Sequence, residues 1–361
     1  MVELGVFMPV GNNGWIMSET APQYMPTWEL NRDITLLAEE IGFDYVFSMA
    51  KWGGNGGKTH FWDYTIESFT LMSALAPLTH RLQLIGSISP TLMHPAVFAK
   101  MAVTLDHISN GRFTLNIVSA GNIREYTQMG LYPEDFESFR YEYTEEWIRI
   151  AKKLWSEPSV TFKGKYFSLD DCRSDPKPIQ QPHPPIVCAT NSERGMQFVV
   201  DECDAIFVGG TTERIRPMTQ KLHQMAEEAG RSVKTHALIL LIMADTDAEA
   251  QALFDHYREG ADWEAMAFVY LRKSAEDGWD STEVREQLNA PRYISYQTPI
   301  YIGGPQTIAD AITDLAVNGG ADGLVLTFHD YIDGLQRMHR DVMPILKSRG
   351  LLSEAGLAAT A

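Results

Sequence analysis

Short apolar runs alternate with longer amphipathic stretches almost from end to end of this chain, and no other feature constrains its fold as much. Apolar runs at 2–10, 45–49, 82–88, 113–118, 186–190, 205–208, 238–244 and 323–327 are rich in Val, Ile, Leu and Phe and too short for buried helices, so they predict strands. Between them, residues such as Leu30, Ile34, Leu37 and Ile41 recur at helical spacing. This pattern predicts helices over 27–42, 65–76, 94–109, 139–156, 193–202 and 330–348, with Asn110-Gly111 as a stop signal after the third. Eight strand–helix alternations, without a block of strands alone, specify a parallel sheet closed into a (β/α)8 TIM barrel. An open doubly wound sheet competes, but Gly11-Asn12-Asn13-Gly14 stands where that fold would carry G-x-G-x-x-G. Two insertions interrupt the rhythm: 159–185, with a hairpin turning at Lys163-Gly164-Lys165 and a proline-rich run, and 261–294, rich in charge and aromatics. No linker divides the 361 residues, so one domain over 1–361 is expected.

Charge narrows the function. With 30 basic and 47 acidic side chains the net charge is −17, which repels a polyphosphate backbone and argues against nucleic-acid binding. No uninterrupted apolar run reaches the length of a membrane span, and Met-Val-Glu-Leu-Gly lacks a basic region before an apolar one, so neither membrane spanning nor classical secretion is expected. Cys172, Cys188 and Cys203 lack metal-ligand spacing and read as reduced thiols of a cytoplasmic protein.

Several motifs invite chemistry and then fail a spacing test. Gly57-Lys58-Thr59 would end a phosphate loop, but the first glycine of G-x-x-x-x-G-K-[ST] would fall on Trp52, so Gly53 to Thr59 reads as a mobile active-site loop after the second strand. The ten histidines form no H-x-x-x-H pair, Asp170-Asp171 has no partner cluster, and there is no G-x-S-x-G, so no metal site and no hydrolase nucleophile is expected. His329-Asp330, after the eighth strand, is a polar pair compatible with a satisfied loop histidine. Asn191-Ser192-Glu193-Arg194-Gly195 places Ser192 as an N-cap for the N–H of Gly195, and the same helix start could hold an anion. From these residues alone the chain is a barrel with a candidate anion site, its chemistry open.

Longer motifs say more. GVFMPVGNNG over 5–14, APQYMP over 21–26, GGKTHFWD over 56–63, DHISNGRFTLN over 106–116, EYTQMG over 125–130 and FKGKYFSLDDC over 162–172 resemble the bacterial-luciferase-like flavin monooxygenases. The resemblance lies with the branch that contains a uracil ring-opening pyrimidine monooxygenase and a riboflavin lyase, and it spans the whole chain. It implies a barrel that uses FMN, delivered as FMNH2 by a separate NAD(P)H:flavin reductase, with O2 as co-substrate and a small heterocycle as substrate. It also implies a homo-oligomer. Ala50, Lys51, Asn116, Glu125, Arg140, Tyr141 and Ser192 fall on the family's flavin contacts, with Ser192 at the phosphate. Phe47, Ser87 and Asn116 fall on its oxygen pocket, where a flavin peroxide, formed at N5 in this branch, would cleave a C–N bond. The pyrimidine enzyme carries leucine and threonine at the positions of Phe47 and Ser87, and a tryptophan over its small ring where this chain has Gly121. That loss predicts a wider substrate pocket, with riboflavin, cleaved to lumichrome, as the expected substrate and uracil as the alternative. A hydrolase working without reduced flavin, or a non-catalytic flavin-binding protein, are readings from other classes.

Overall fold

Each predicted apolar run forms a strand because both of its faces are covered, by side chains filling the ring inside and by helices outside. Such strands read as continuous apolar runs and not as alternation. The computed structural model describes residues 1–119, 123–272 and 281–352. Its strands are β1 (Glu3–Phe7), β2 (Tyr45–Ser48), β3 (Gln83–Ile88), β4 (Phe113–Ile117), β5 (Val160–Lys163), β6 (Ser168–Cys172), β7 (Ile186–Ala189), β8 (Ala205–Gly209), β9 (Lys234–Met243), β10 (Ile300–Gly303) and β11 (Gly323–Phe328). Eight of them run parallel in the ring order β11-β1-β2-β3-β4-β7-β8-β9, closed because β9 pairs with both β8 and β11. This is the (β/α)8 barrel. Helices Trp28–Ile41, Ser68–Leu75, Pro95–Ile108, Phe136–Ser156 and Glu193–Glu202 lie close to their predicted spans. Among the described residues no helix is long and apolar enough to cross a membrane.

The structure adds helices at Thr212–Glu228, Asp247–Glu259 and Pro305–Val317, and it departs from expectation in the strands and the closing helix as well. β9 starts four residues earlier than its apolar run, because Lys234-Thr235-His236-Ala237 pairs with β8 and β11 despite its polar members. β10 is a ninth strand outside the ring, with Ile300 to Gly303 set against Leu240 to Met243. The closing helix breaks into Tyr331–Arg337, a π-helical turn at Met338–Val342 and Met343–Ser348, where Pro344 has no N–H to continue the α-helical ladder. The expected hairpin is β5–β6, and the Glu146 carboxylate holds its turn through the N–H groups of Lys165, Tyr166 and Phe167 at 2.9, 3.0 and 2.6 Å.

The end of the barrel where the strands begin is a stability device. Glu3 meets Lys234 at 2.5 Å and His236 at 3.5 Å, and His236 stacks on Tyr45 with ring centroids 5.2 Å apart. The neighbouring His236 and Lys234 hold the Glu3 carboxyl down at about 2 against an ordinary 4.5. A carboxyl depressed on folding adds stability above its unfolded value and loses it as pH falls through the folded one. The side chain is 36% exposed, so screening leaves about 1 kcal/mol of this. Urea unfolding of Glu3→Gln is therefore expected to show a deficit at pH 7 that closes between pH 4.5 and 2. A deficit unchanged at pH 2 would assign the effect to packing.

Candidate active site

At the opposite end the loops leaving the strands enclose a cleft of about 2020 Å³. Ordinary ligand pockets measure roughly 300–1,000 Å³, so this one has room for two ligands. The chain is strongly acidic, yet Lys51, Arg124, Arg140, Arg214 and Arg272 all line this cleft.

Its floor is aromatic. Phe47 stacks on Phe207 at 4.9 Å and leans on Phe7 at 4.6 Å, joining β2, β8 and β1. Above them Trp15 meets Phe7 edge-on at 4.5 Å and Trp62 at 5.2 Å, and Trp62 packs on Tyr296 at 4.3 Å. The indole N–H of Trp62 donates to Gly14 O at 2.6 Å, which leaves the wall itself apolar.

One polar group interrupts this floor. Asn116 on β4 is 3% exposed; its Nδ2 donates to Ser87 Oγ on β3 at 2.8 Å, and Ser87 Oγ donates to Ser48 O on β2 at 2.5 Å. A carbonyl can only accept, so the single Ser87 proton points to Ser48, and Ser87 can only accept from its other neighbour. That settles which end of the Asn116 amide faces Ser87. Oδ1 is left buried without a partner, and Nδ2 carries a second N–H beyond the one given to Ser87. Ser87, expected in the oxygen pocket, therefore has no proton left to donate toward the cleft. Ser87 stands behind Asn116 and is not among the cleft-lining residues.

Beyond β2, Lys51 forms an ion pair with Glu125, and both side chains are 5% exposed. Glu125 also accepts the backbone N–H of Trp52 at 2.7 Å, so one carboxylate ties the exit of β2 to helix Ile123–Thr127. Burial pulls the Lys51 ammonium below its ordinary value, and Glu125 opposes that shift. Ala50 lines the cleft beside this pair.

The outer end is a hydroxyl cluster. Ser192 Oγ accepts Gly195 N–H at 3.1 Å, the predicted N-cap, and lies 3.1 Å from Tyr141 OH, which is 2.9 Å from Thr190 Oγ1. A Cβ on Gly195 would come within 1.8 Å of Thr190 Oγ1 and 2.5 Å of Tyr141 OH, so only glycine lets the helix start approach this closely. Arg140 lies over the Tyr141 ring at 4.9 Å and reaches Glu137 at 3.4 Å.

The glycine loop is tied to distant parts of the chain through Thr59. Asp262 accepts Thr59 N–H and Oγ1–H at 2.7 and 2.8 Å, and Asn13 Nδ2 donates to Thr59 O at 2.9 Å. Gly57, at φ +74, lies so close to Asp262 that a Cβ would come within 2.6 Å of its carboxylate.

The structure thus brings Phe47, Ala50, Lys51, Asn116, Glu125, Arg140, Tyr141 and Ser192 to one cleft, with Ser87 behind it. Gly121 lies outside the described residues. Sequence reasoning did not find Ser48, Thr190, Trp62 and Tyr296, whose roles depend on partners far away in the chain. Trp15 lines the cleft and Trp52 does not.

A parallel barrel with one large cleft at the carboxyl ends of its strands, basic at the rim and aromatic at the floor, has the architecture of an enzyme. Residues 2–323 match the luciferase-like monooxygenases, and the chain belongs to that family. It is a flavin-dependent monooxygenase. It is 40% identical to the pyrimidine monooxygenase RutA of Variovorax paradoxus, over 96% of this chain and 95% of that one. With RutA of Agrobacterium fabrum it shares 39%, over 96% and 97%. Among solved structures, riboflavin lyase RcaE, holding modified FMN and riboflavin, superposes with a TM-score of 0.87 at 22% identity over 100% and 94% of the two chains. The long-chain alkane monooxygenase LadA gives 0.84 at 20%, over 98% and 92%.

Proposed function

We propose that this chain is the oxygenating component of a two-component system that uses FMNH2 and O2 to open a pyrimidine ring at a C–N bond. The observation that carries the reading is the near-full-length identity, 38 to 40%, to relatives named pyrimidine monooxygenases. Relatives so similar over the whole barrel weigh more than the two local departures, Gly121 and the short loop at Gly210-Thr211-Thr212-Glu213, that favoured riboflavin.

The cleft suits FMN at both ends. The outer cluster of Ser192, Tyr141 and Thr190, beside Arg140 and a helix start whose first N–H groups have no intrahelical acceptor, suits a phosphate. The inner end, an aromatic floor with one orphaned acceptor at Asn116 Oδ1, suits a flat ring with N–H groups. Reduced FMN, when bound, would supply the electrons that activate O2. The protein's part is positional. Ser48 and Ser87 lock the Asn116 amide, whose remaining N–H and free Oδ1 orient reacting groups. Phe7, Phe47 and Phe207 exclude water from that point, and the Lys51–Glu125 pair fixes the backbone leaving β2. A separate NAD(P)H:flavin reductase would supply FMNH2.

The volume of the cleft favours a second reading, a multi-ring substrate such as riboflavin. One assay separates the two. The protein is mixed with FMNH2 and 18O2 in the presence of uracil or riboflavin, and products are weighed by mass spectrometry. Ring-opened uracil carrying one 18O, with riboflavin untouched, is the expected result. Lumichrome with intact uracil would transfer the assignment to riboflavin, and no product from either would overturn both.

A further inference from the structure

We infer that the carboxamide of Asn55 is a recognition element for the lactam edge, the adjacent N–H and C=O, of a dioxopyrimidine ring held in the cleft. Asn55 lines the cleft, is 3% exposed, and has its Nδ2 buried without a partner. Among the described residues no hydrogen bond reaches either end of its amide. A buried amide N–H without a partner costs the fold stability, and at a cleft wall a bound ligand can supply the missing acceptor.

The segment that carries Asn55 is held in place from both sides. Asn55 N–H donates to Phe61 O and Phe61 N–H to Gly56 O, both at 2.8 Å, and Gly56 N–H donates to Asp63 Oδ1 at 3.1 Å. Thr59, four residues on, is clamped by Asp262 and Asn13. The amide is therefore presented to the cleft by a turn that backbone and carboxylate hydrogen bonds define.

Its chemistry selects the ligand. A carboxamide sets one acceptor beside two donors, and the group that satisfies it on one edge offers a donor and an acceptor side by side. A lactam does so whichever end of the amide is oxygen. The surrounding walls, Trp15, Trp62 and Tyr296 above and the phenylalanines below, cover the faces of a flat ring and give nothing to a compact ion. Two rings share this edge in the proposed reaction, a pyrimidine substrate and the dioxopyrimidine portion of the flavin itself. The choice between them rests on the proposed function; the role of Asn55 does not.

The test uses Asn55→Leu, near-isosteric and without hydrogen bonds. The ligand-free variant is expected to melt at or above the wild-type temperature, because an unsatisfied amide is removed, whereas a structural asparagine would lower it. Binding of FMN is read by fluorescence titration and binding of uracil to the FMN-loaded protein by calorimetry, and one of the two is expected to weaken about tenfold or more. A loss confined to uracil assigns the edge to the substrate, and a loss confined to FMN assigns it to the flavin. On the wild-type protein, 1,3-dimethyluracil and 3-methyl-FMN, which lack the ring N–H, keep the question open should the variant misfold; the analogue of the recognised ring must bind about tenfold more weakly than its parent. Unchanged affinity for FMN and uracil in a folded variant, or equal binding of both analogues and their parents, overturns the inference. Failure of wild type to bind or open uracil would count against the pyrimidine reading alone, because the FMN arm still tests Asn55.

Discussion

Lys51→Met is expected to destabilise the protein by about 3–5 kcal/mol, the usual consequence of removing one partner from a buried ion pair. Glu125 would be left at 5% exposure with, among the described residues, the N–H of Trp52 at 2.7 Å as its remaining partner. Lys51 also lies 5.6 Å from the centre of the Trp62 ring, so the aromatic wall loses a neighbour as well. The double variant Lys51→Met, Glu125→Gln removes the stranded charge and should recover much of the loss, because a neutral amide can still accept from Trp52. Urea unfolding of wild type, both single variants and the double variant gives the coupling energy directly. A double variant no better than Lys51→Met would mean that the lysine acts through packing. Flavin affinity should follow the same order, since this pair holds the backbone at Ala50 where the resemblance puts the ring.

The second large effect is expected at Asn116. Asn116→Ala should keep its fold and bind FMN, yet form oxygenated product about 10²-fold more slowly, the scale seen when one preorganised polar group is removed from a reacting centre. Electrons from FMNH2 should then appear as hydrogen peroxide. The Ser87 variants separate positioning from contact. Ser87→Thr keeps the hydroxyl that accepts from Asn116 and donates to Ser48, so it should retain coupling. Ser87→Ala frees the amide to turn over and should lose part of it. Product yield, peroxide yield and melting temperature together decide the matter, and wild-type product yield in Asn116→Ala would remove this residue from the mechanism.

Much of the architecture was legible because helix and strand periods are set by neighbours along the chain. Glu193–Glu202 falls on its predicted residues because the N-cap Ser192 and the apolar spacing that follows are local signals. β10 was not legible. Ile300 to Gly303 is a strand only because Leu240 to Met243 offers it an edge. The polar start of β9 is a strand for the same kind of reason, with Lys234 and His236 held by Glu3 at the far end of the sequence.

The site divides along the same line. Ser192 as an N-cap needed only the residues on either side of it, and the long family motifs placed Lys51, Asn116 and Glu125 near a flavin by resemblance. Residue types alone left undecided what those side chains present. Asn116 faces the cleft with a free oxygen because the one proton of Ser87, 29 residues away, is drawn to the carbonyl of Ser48. Asn55 sits in a glycine-rich stretch that reads as a loose loop, until Asp262, some 200 residues later, pins the backbone beside it. A side chain's chemistry is written in its type, but a hydrogen atom's direction depends on which acceptor lies nearest, and closure of the ring of strands sets that.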